Sequence, residues 1–175
     1  MRYVILFALF SLLILRAWTQ SSIPEVLDRF NSGSVEYIFP ETLAGHKGAF
    51  LLDTREKEEF ATSHLKDAQW VGYEDFDLSR VKSIVPNKNT PIVVYCSVGV
   101  RSEDIGEQLK EAGYSNVKNL YGGIFQWKNE GHPVYNSLQK ETQKVHAYSK
   151  FWGKLLTNAE KIYSFNTETL EPKEP

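Results

Sequence analysis

One segment, PIVVYCSVGVRSEDIGEQLKEAG at residues 91–113, constrains the fold of this chain more than any other. It begins with an apolar, largely β-branched run that lacks alternation, which predicts a central strand covered on both faces. The following stretch places Ile105, Leu109 and Ala112 on one helical face and ends at Gly113, which suits the end of a helix. A buried strand, a short loop and an amphipathic helix in this order are typical of an α/β protein.

The same alternation continues along the chain. Strand-like segments are AFLLDT, AQWVGYEDF and NVKNLY, and helix-like segments are EKEEFATSHL, SRVKSI and GGIFQWKNEG. Ser22 and Glu25 have the spacing of a capping box at the start of a further short helix. Together these segments predict a small doubly wound α/β fold, with a central parallel sheet and helices on both faces.

The only cysteine of the chain, Cys96, lies at the carboxyl end of the most apolar strand, where ligands of such sheets bind. A thiolate there would face the unpaired N–H groups of a helix start, and Gly99 lets the loop curl so that its amides point inward. Arg101 adds a permanent cation that could close the loop or hold an oxyanion. Cys-x4-Arg in this setting is typical of a nucleophilic thiolate in an anion cradle. The local pattern leaves a small, buried structural cysteine open as the alternative.

Composition narrows the classes of ligand. The chain has 175 residues, 42% of them hydrophobic, and a net charge of -2, as expected of one globular domain. It has no basic cluster and no aromatics interleaved with Lys or Arg, which argues against nucleic-acid binding. His46, His132 and His146 show no metal-ligand spacing and one cysteine cannot complete a zinc site, so we expect no metal and no cofactor.

The first twenty residues predict export. Arg2 leads into the apolar run YVILFALFSLLIL, which is shorter than the ~20 residues of a membrane span and so favours a signal peptide over residues 1–20. An uncleaved membrane anchor is the alternative. We therefore expect a periplasmic or extracellular protein. A single thiol in such a protein indicates either intermolecular pairing or a reactive group.

Three motifs occur in order: LLDTREKEEFATSHLKDA, VVYCSVGVRS and AGYSNVKNLYGGIFQWKNEGHPV. They resemble the Asp-x-Arg segment, the active-site loop and the characteristic ending of the rhodanese-like (sulfurtransferase) domain family. The last motif carries the glycines, tryptophan and proline typical of that ending, at Gly122, Gly123, Trp127, Gly131 and Pro133. The resemblance covers residues 35–135 and implies a small doubly wound domain.

The resemblance also implies a set of site residues. Cys96 would be the nucleophile that carries sulfur as a persulfide, and Arg101 would close the loop. The substrate-binding loop would consist of Ser97, Val98, Gly99 and Val100, whose amides, with that of Arg101, form the cradle. Asp53 and Arg55 would support the pocket, with a purely fold-stabilising ion pair as the favoured alternative. Glu59 would belong to the same network.

Loop length indicates the reaction class. Phosphatases and arsenate reductases of this fold carry Cys-x5-Arg, whereas the four-residue spacing here resembles that of rhodaneses, so phosphatase activity is disfavoured. No Lys or Arg lies between Cys96 and Arg101, whereas rhodaneses efficient with thiosulfate often carry more positive loops. The loop sequence therefore does not identify thiosulfate as the physiological sulfur donor. Ser63 replaces the usual glycine and Leu65 the usual isoleucine beside His64, which we interpret as a structural histidine.

Beyond the domain, residues 139–163 place several apolar side chains on one helical stripe, which predicts a C-terminal helical extension. This helix would pack on the domain or, alternatively, bind a partner or a membrane surface. Residues 166–175 are polar and contain proline, which predicts a disordered tail.

The leading hypothesis for function is a sulfurtransferase that takes sulfane sulfur onto Cys96 and passes it to cyanide or a thiol. The donor would be thiosulfate, a polysulfide or a persulfide, and a sulfur-relay protein is a further candidate partner. The alternative is a persulfide-sensing, redox-sensing or partner-binding module that does not turn over. The protein is expected to be a monomer.

Overall fold

The computed structural model describes residues 22–46 and 48–163. Their centre is a five-stranded sheet in which every neighbouring pair is parallel, in the order β1-β5-β4-β2-β3. The strands are β1 (Tyr37–Ile38), β2 (Phe50–Asp53), β3 (Gln69–Trp70), β4 (Ile92–Tyr95) and β5 (Val117–Leu120). The helices that alternate with them are α1 (Ile23–Phe30), α2 (Pro40–Gly45), α3 (Lys57–Thr62), α4 (Leu78–Ile84), α5 (Arg101–Glu111) and α6 (Gly123–Asn129). The predicted doubly wound α/β architecture is confirmed.

The central strand β4 is covered on both faces, as its unbroken apolar sequence predicts. Val93 and Tyr95 belong to one buried cluster, which includes side chains of α1 and α6. Ile92 and Val94 belong to the other, which includes side chains of α4 and α5. Because successive side chains of a strand point to opposite faces, one four-residue strand anchors both layers of helices. The residue that follows β4 is therefore held firmly.

The ends of two helices match the sequence prediction. The Ser22 hydroxyl accepts the backbone N–H of Glu25, and the Glu25 carboxylate accepts that of Ser22, which forms the predicted capping box of α1. Helix α5 buries Ile105 and Leu109 and ends before Gly113, whose φ of 92° is in the left-handed region.

The buried core extends on both sides of residues 35–135. Ile23, Val26 and Leu27 of α1 pack in the same cluster as the sheet, and so do Val145 and Leu156 near the other end. The segments before and after residues 35–135 thus share one of the two buried clusters with the sheet.

The prediction of a helix over residues 139–163 is wrong. The structure has a hairpin of β6 (Val134–Tyr135) and β7 (Glu141–Thr142), a parallel pair of β8 (Lys144–His146) and β9 (Glu160–Ile162), and a 3-10 helix at Trp152–Leu155. Tertiary pairing overrides the helical stripe, because β8 takes its backbone partners from β9 and packs on α3. Tyr148, with a φ of 61°, cannot belong to a right-handed helix.

No helix among the described residues is long and apolar enough to cross a bilayer. The signal peptide predicted at residues 1–20 and the tail predicted at 166–175 lie outside the described residues.

Candidate active site

Cys96 directly follows β4 at the carboxyl edge of the sheet, between β2 and β5. The chain then forms a short loop and enters α5 at Arg101. The Cys96 side chain is buried, with the residue only 1% exposed. The thiol therefore lies at the floor of the loop, shielded from solvent.

The loop amide that contacts the sulfur belongs to Gly99. Its N–H donates to Cys96 Sγ at 3.1 Å. Gly99 has a φ of 103°, and a Cβ there would lie 3.3 Å from the carbonyl oxygen of Leu120. Glycine is therefore needed for the turn that aims this amide at the sulfur. A donor in this position stabilises negative charge on sulfur.

Helix α6 holds the first carbonyls of the loop from behind. The N–H of Ile124 donates to Cys96 O at 2.9 Å, and that of Phe125 donates to Ser97 O at 3.0 Å. This approach requires Gly123, because a Cβ there would lie 2.3 Å from Cys96 O. Because these two carbonyl oxygens are hydrogen-bonded to α6, they point away from the sulfur and leave the N–H groups of the loop to face it.

Two asparagines hold the next part of the loop in the same manner. The side-chain amides of Asn31 and Asn119 both donate to Gly99 O, at 2.9 and 2.8 Å. Asn119 is fully buried on β5 and also accepts from the Ser102 hydroxyl at 2.7 Å. Neither asparagine is predictable as a site residue from the sequence, because each is distant along the chain from the loop that it holds.

Arg101 closes the loop through a carboxylate of α3. Its Nη2 donates to both carboxylate oxygens of Glu59, at 3.1 and 3.0 Å, and to the Ser97 hydroxyl at 3.2 Å. The Ser97 hydroxyl in turn donates to Glu59 at 2.9 Å, and Nη1 lies 3.6 Å from Glu56. This geometry fits a loop-closing role for Arg101 better than binding of an oxyanion, since carboxylates already balance the charge of its guanidinium.

Glu59 is the hub of this closure, although it is 1% exposed. Burial raises the pKa of a carboxyl group, but the positive charges of Arg101 and Arg55 outweigh that effect and lower the pKa of Glu59 overall. Glu59 is therefore ionised and hydrogen-bonded in the folded protein. The family resemblance associates Glu59 with Asp53 and Arg55, and its contact with the loop is seen only in the structure.

Asp53 and Arg55 form a fully buried ion pair below the site. The guanidinium bonds both carboxylate oxygens of Asp53, with 2.6 Å between Arg55 Nη2 and Asp53 Oδ2. It also donates to the carbonyl of Ser63 at 2.6 Å. These bonds join the end of β2 to the chain after α3. Their geometry fits the fold-stabilising interpretation of the pair.

His64 has structural contacts as well. Its ring stacks on Phe60 with 4.1 Å between centroids, and Nδ1 lies 3.0 Å from the Phe60 carbonyl oxygen. The described residues include no group of three or more His, Cys, Asp or Glu side chains arranged to hold a metal ion.

The side of the site next to Glu56 carries negative charge. Burial raises the pKa of Glu56, the positive charge of Arg101 opposes this rise, and the charges of Glu59, Glu74 and Asp75 add to it. Glu74 and Asp75 are exposed. We call Glu56, Glu74 and Asp75 the acidic rim. Since Arg101 is paired, the loop offers no free cation to offset this rim.

A model of the rhodanese-like domain matches residues 40–130. The chain belongs to the rhodanese-like domain family. The matched region contains β2 to β5 and the loop of Cys96, whereas β1 lies just before it.

Individual proteins with this domain include named sulfurtransferases. The thiosulfate sulfurtransferase GlpE of Haemophilus influenzae is 33% identical over 97 residues, which cover 50% of this chain and 81% of GlpE. The adenylyltransferase and sulfurtransferase uba4 of Ogataea parapolymorpha is 29% identical over 100 residues, but the match spans only 25% of that longer protein. Among solved structures, a rhodanese-related protein from Thermoplasma volcanium superposes with a TM-score of 0.50 at 27% identity, covering 57% of this chain and 96% of that protein.

Proposed function

We propose that this rhodanese-like protein is a sulfurtransferase in which Cys96 carries sulfane sulfur as a persulfide. The observation that carries the proposal is the hydrogen bond of 3.1 Å from the Gly99 N–H to Cys96 Sγ. It is made in a loop whose carbonyl oxygens are bonded away from the sulfur. Such a site stabilises an anionic sulfur both before and after it gains a second sulfur atom.

The reaction needs no oxidant and no metal. The Cys96 thiolate attacks the outer sulfur of a donor such as thiosulfate, a new S–S bond forms, and the old S–S bond breaks with its electron pair leaving on sulfite. Cyanide or an acceptor thiolate then attacks the outer sulfur of the persulfide, and the Cys96 thiolate leaves. Thiocyanate or a new persulfide is the product.

The burial of Cys96 supports a donor that presents its sulfur end-on. A terminal sulfane sulfur, as in thiosulfate, a persulfide or a polysulfide, can enter the floor of the loop while the rest of the donor stays outside. The acidic rim opposes a dianion such as thiosulfate, which supports a persulfide with a single negative charge as the donor.

The chain has one cysteine, so it cannot release its persulfide by forming an internal disulfide. An external thiol, cyanide or a partner protein must complete the cycle. Adenylyltransferase and sulfurtransferase uba4 is a relative in which a similar domain is part of a larger protein, which makes a relay protein a reasonable candidate acceptor. Export remains a prediction from residues 1–20.

Intact-mass measurement tests the proposal. The protein is incubated with thiosulfate or a polysulfide, and its mass is recorded before and after cyanide, beside Cys96→Ser. We expect a gain of one sulfur, about 32 Da, that cyanide removes and that the Ser variant lacks. Absence of the adduct with every donor would contradict the transferase and favour a partner-binding module on the same scaffold.

A further inference from the structure

Tyr148 lies outside the matched family region, in a connection whose backbone is held in an unusual conformation. Its φ of 61° is left-handed, which few residues with a side chain adopt. Its N–H donates to His146 Nδ1 at 3.2 Å, and Ala147 beside it is fully buried. Strain of this kind persists only where surrounding structure imposes it.

The ring of Tyr148 covers the guanidinium of Arg101. The guanidinium carbon lies 5.1 Å from the ring centroid, within the range of a cation–π contact. Glu59 binds an edge of the same group, and the Arg101 side chain is only 19% exposed. Arg101 is therefore held by a carboxylate on its edge and an aromatic ring on its face.

A common support links these two contacts. Strand β8, which ends two residues before Tyr148, packs on α3, and α3 carries Glu59. Helix α3 therefore supports both contacts of Arg101: it carries Glu59, and the C-terminal segment with Tyr148 packs on it. Because Tyr148 remains 41% exposed, its ring separates Arg101 from solvent without being buried itself.

We propose that Tyr148 is a positioning and access residue of the Cys96 site. Its ring holds Arg101 in the loop-closing arrangement and narrows the entrance, so that slender terminal sulfane donors are accepted and donors with a bulky group next to the sulfur are disfavoured. This inference deepens the proposed function and rests on it for the identity of the donor.

The size of the effect follows from the contact. A bulky reagent can enter only if the Tyr148 ring moves off Arg101. The energy of this partly exposed cation–π contact is then lost, and the barrier to reaction rises by that amount. That energy corresponds to about a 2- to 5-fold change in rate. A slender reagent enters without displacing the ring and is unaffected.

Alkylation of Cys96 tests access without requiring sulfur transfer. Rates with iodoacetamide and with the bulkier N-phenylmaleimide are followed by intact mass. Tyr148→Gly removes the ring and adopts the same φ without strain. We expect it to raise the ratio of the N-phenylmaleimide rate to the iodoacetamide rate about 2- to 5-fold. Tyr148→Phe keeps the ring and should restore the wild-type ratio.

Phe151→Ala is the matched control, since it removes a 57% exposed ring from the same segment that does not cover Arg101. It should leave the ratio unchanged. Tyr148→Asn provides a second ring deletion, because asparagine also tolerates a left-handed backbone. Equal ratios in the wild type, Tyr148→Gly and Tyr148→Asn, with unchanged melting temperatures, would overturn the inference. A changed ratio with no sulfur adduct on Cys96 would retain the access role and reject only the sulfurtransferase.

Discussion

Glu59→Gln is the most informative single substitution, because it removes the charge that closes the loop while keeping the shape of the side chain. Arg101 would lose the carboxylate that now accepts two of its contacts, at 3.1 and 3.0 Å. Removing one partner of a buried ion pair costs about 3–5 kcal/mol. Arg101 is 19% exposed and keeps Glu56 at 3.6 Å, which reduces this cost to about 2–4 kcal/mol.

The free energies of unfolding of the wild type, Glu59→Gln and Glu56→Gln are measured by urea denaturation, and their melting temperatures by thermal denaturation. A loss of 2–4 kcal/mol corresponds to a fall in melting temperature of about 5–15 °C for a chain of this size. The Glu56 pair is longer and partly exposed, so its loss should cost at most about 1 kcal/mol. Sulfur loading of Cys96 should fall in Glu59→Gln, since Ser97 and Arg101 lose a common anchor. Equal destabilisation by the two substitutions would refute the conclusion that Glu59 is the main partner of Arg101 in closing the loop.

Three further outcomes are expected. Since the folded pKa of Glu59 lies below its ordinary value of 4.5, its stabilising contribution is complete above about pH 4.5 and is lost as pH falls through the folded pKa. Urea denaturation from about pH 6 to about pH 3 should therefore show a steeper loss of stability in the wild type than in Glu59→Gln. Gly123→Ala should cost about 3 kcal/mol or more by thermal denaturation and reduce sulfur loading, because its Cβ would lie 2.3 Å from the carbonyl oxygen of Cys96. Gly33→Ala, which also has a positive φ but meets open space, should cost only about 1–2 kcal/mol. The KM for thiosulfate should fall as ionic strength rises from about 0.01 to about 0.15 M, because salt screens the repulsion between the acidic rim and the anionic donor. The double substitution Glu74→Gln and Asp75→Asn should remove most of that dependence. A KM independent of salt would show that the acidic rim does not act on the donor.

The fold was predictable because its signals are local. An apolar run without alternation at residues 92–95, followed by a helix with one apolar face, already implies a covered central strand and a layer of helix. The position of Cys96 at the carboxyl end of that strand follows directly. The capping box of α1 is equally local, since both partners lie within one turn.

The C-terminal segment was not predictable in this way. The segment does show a helical pattern of apolar residues. However, paired residues of β8 and β9, such as Lys144 and Glu160, are sixteen positions apart and meet only through the tertiary fold. A preference of a few tenths of a kcal/mol per residue for a helix cannot compete with such pairing and burial. Sequence periodicity carries no information about the partner that a segment will meet.

By itself, the sequence determined the class of fold, the family resemblance and the one thiol on which the proposed chemistry depends. Only the tertiary structure decided what surrounds that thiol: Glu59 on Arg101, Asn31 and Asn119 on Gly99, and Tyr148 over the guanidinium. The physical reason is separation along the chain. Secondary structure follows from neighbours in sequence, whereas the charge and hydrogen bonding of the site come from residues brought together only when the sheet and its helices pack.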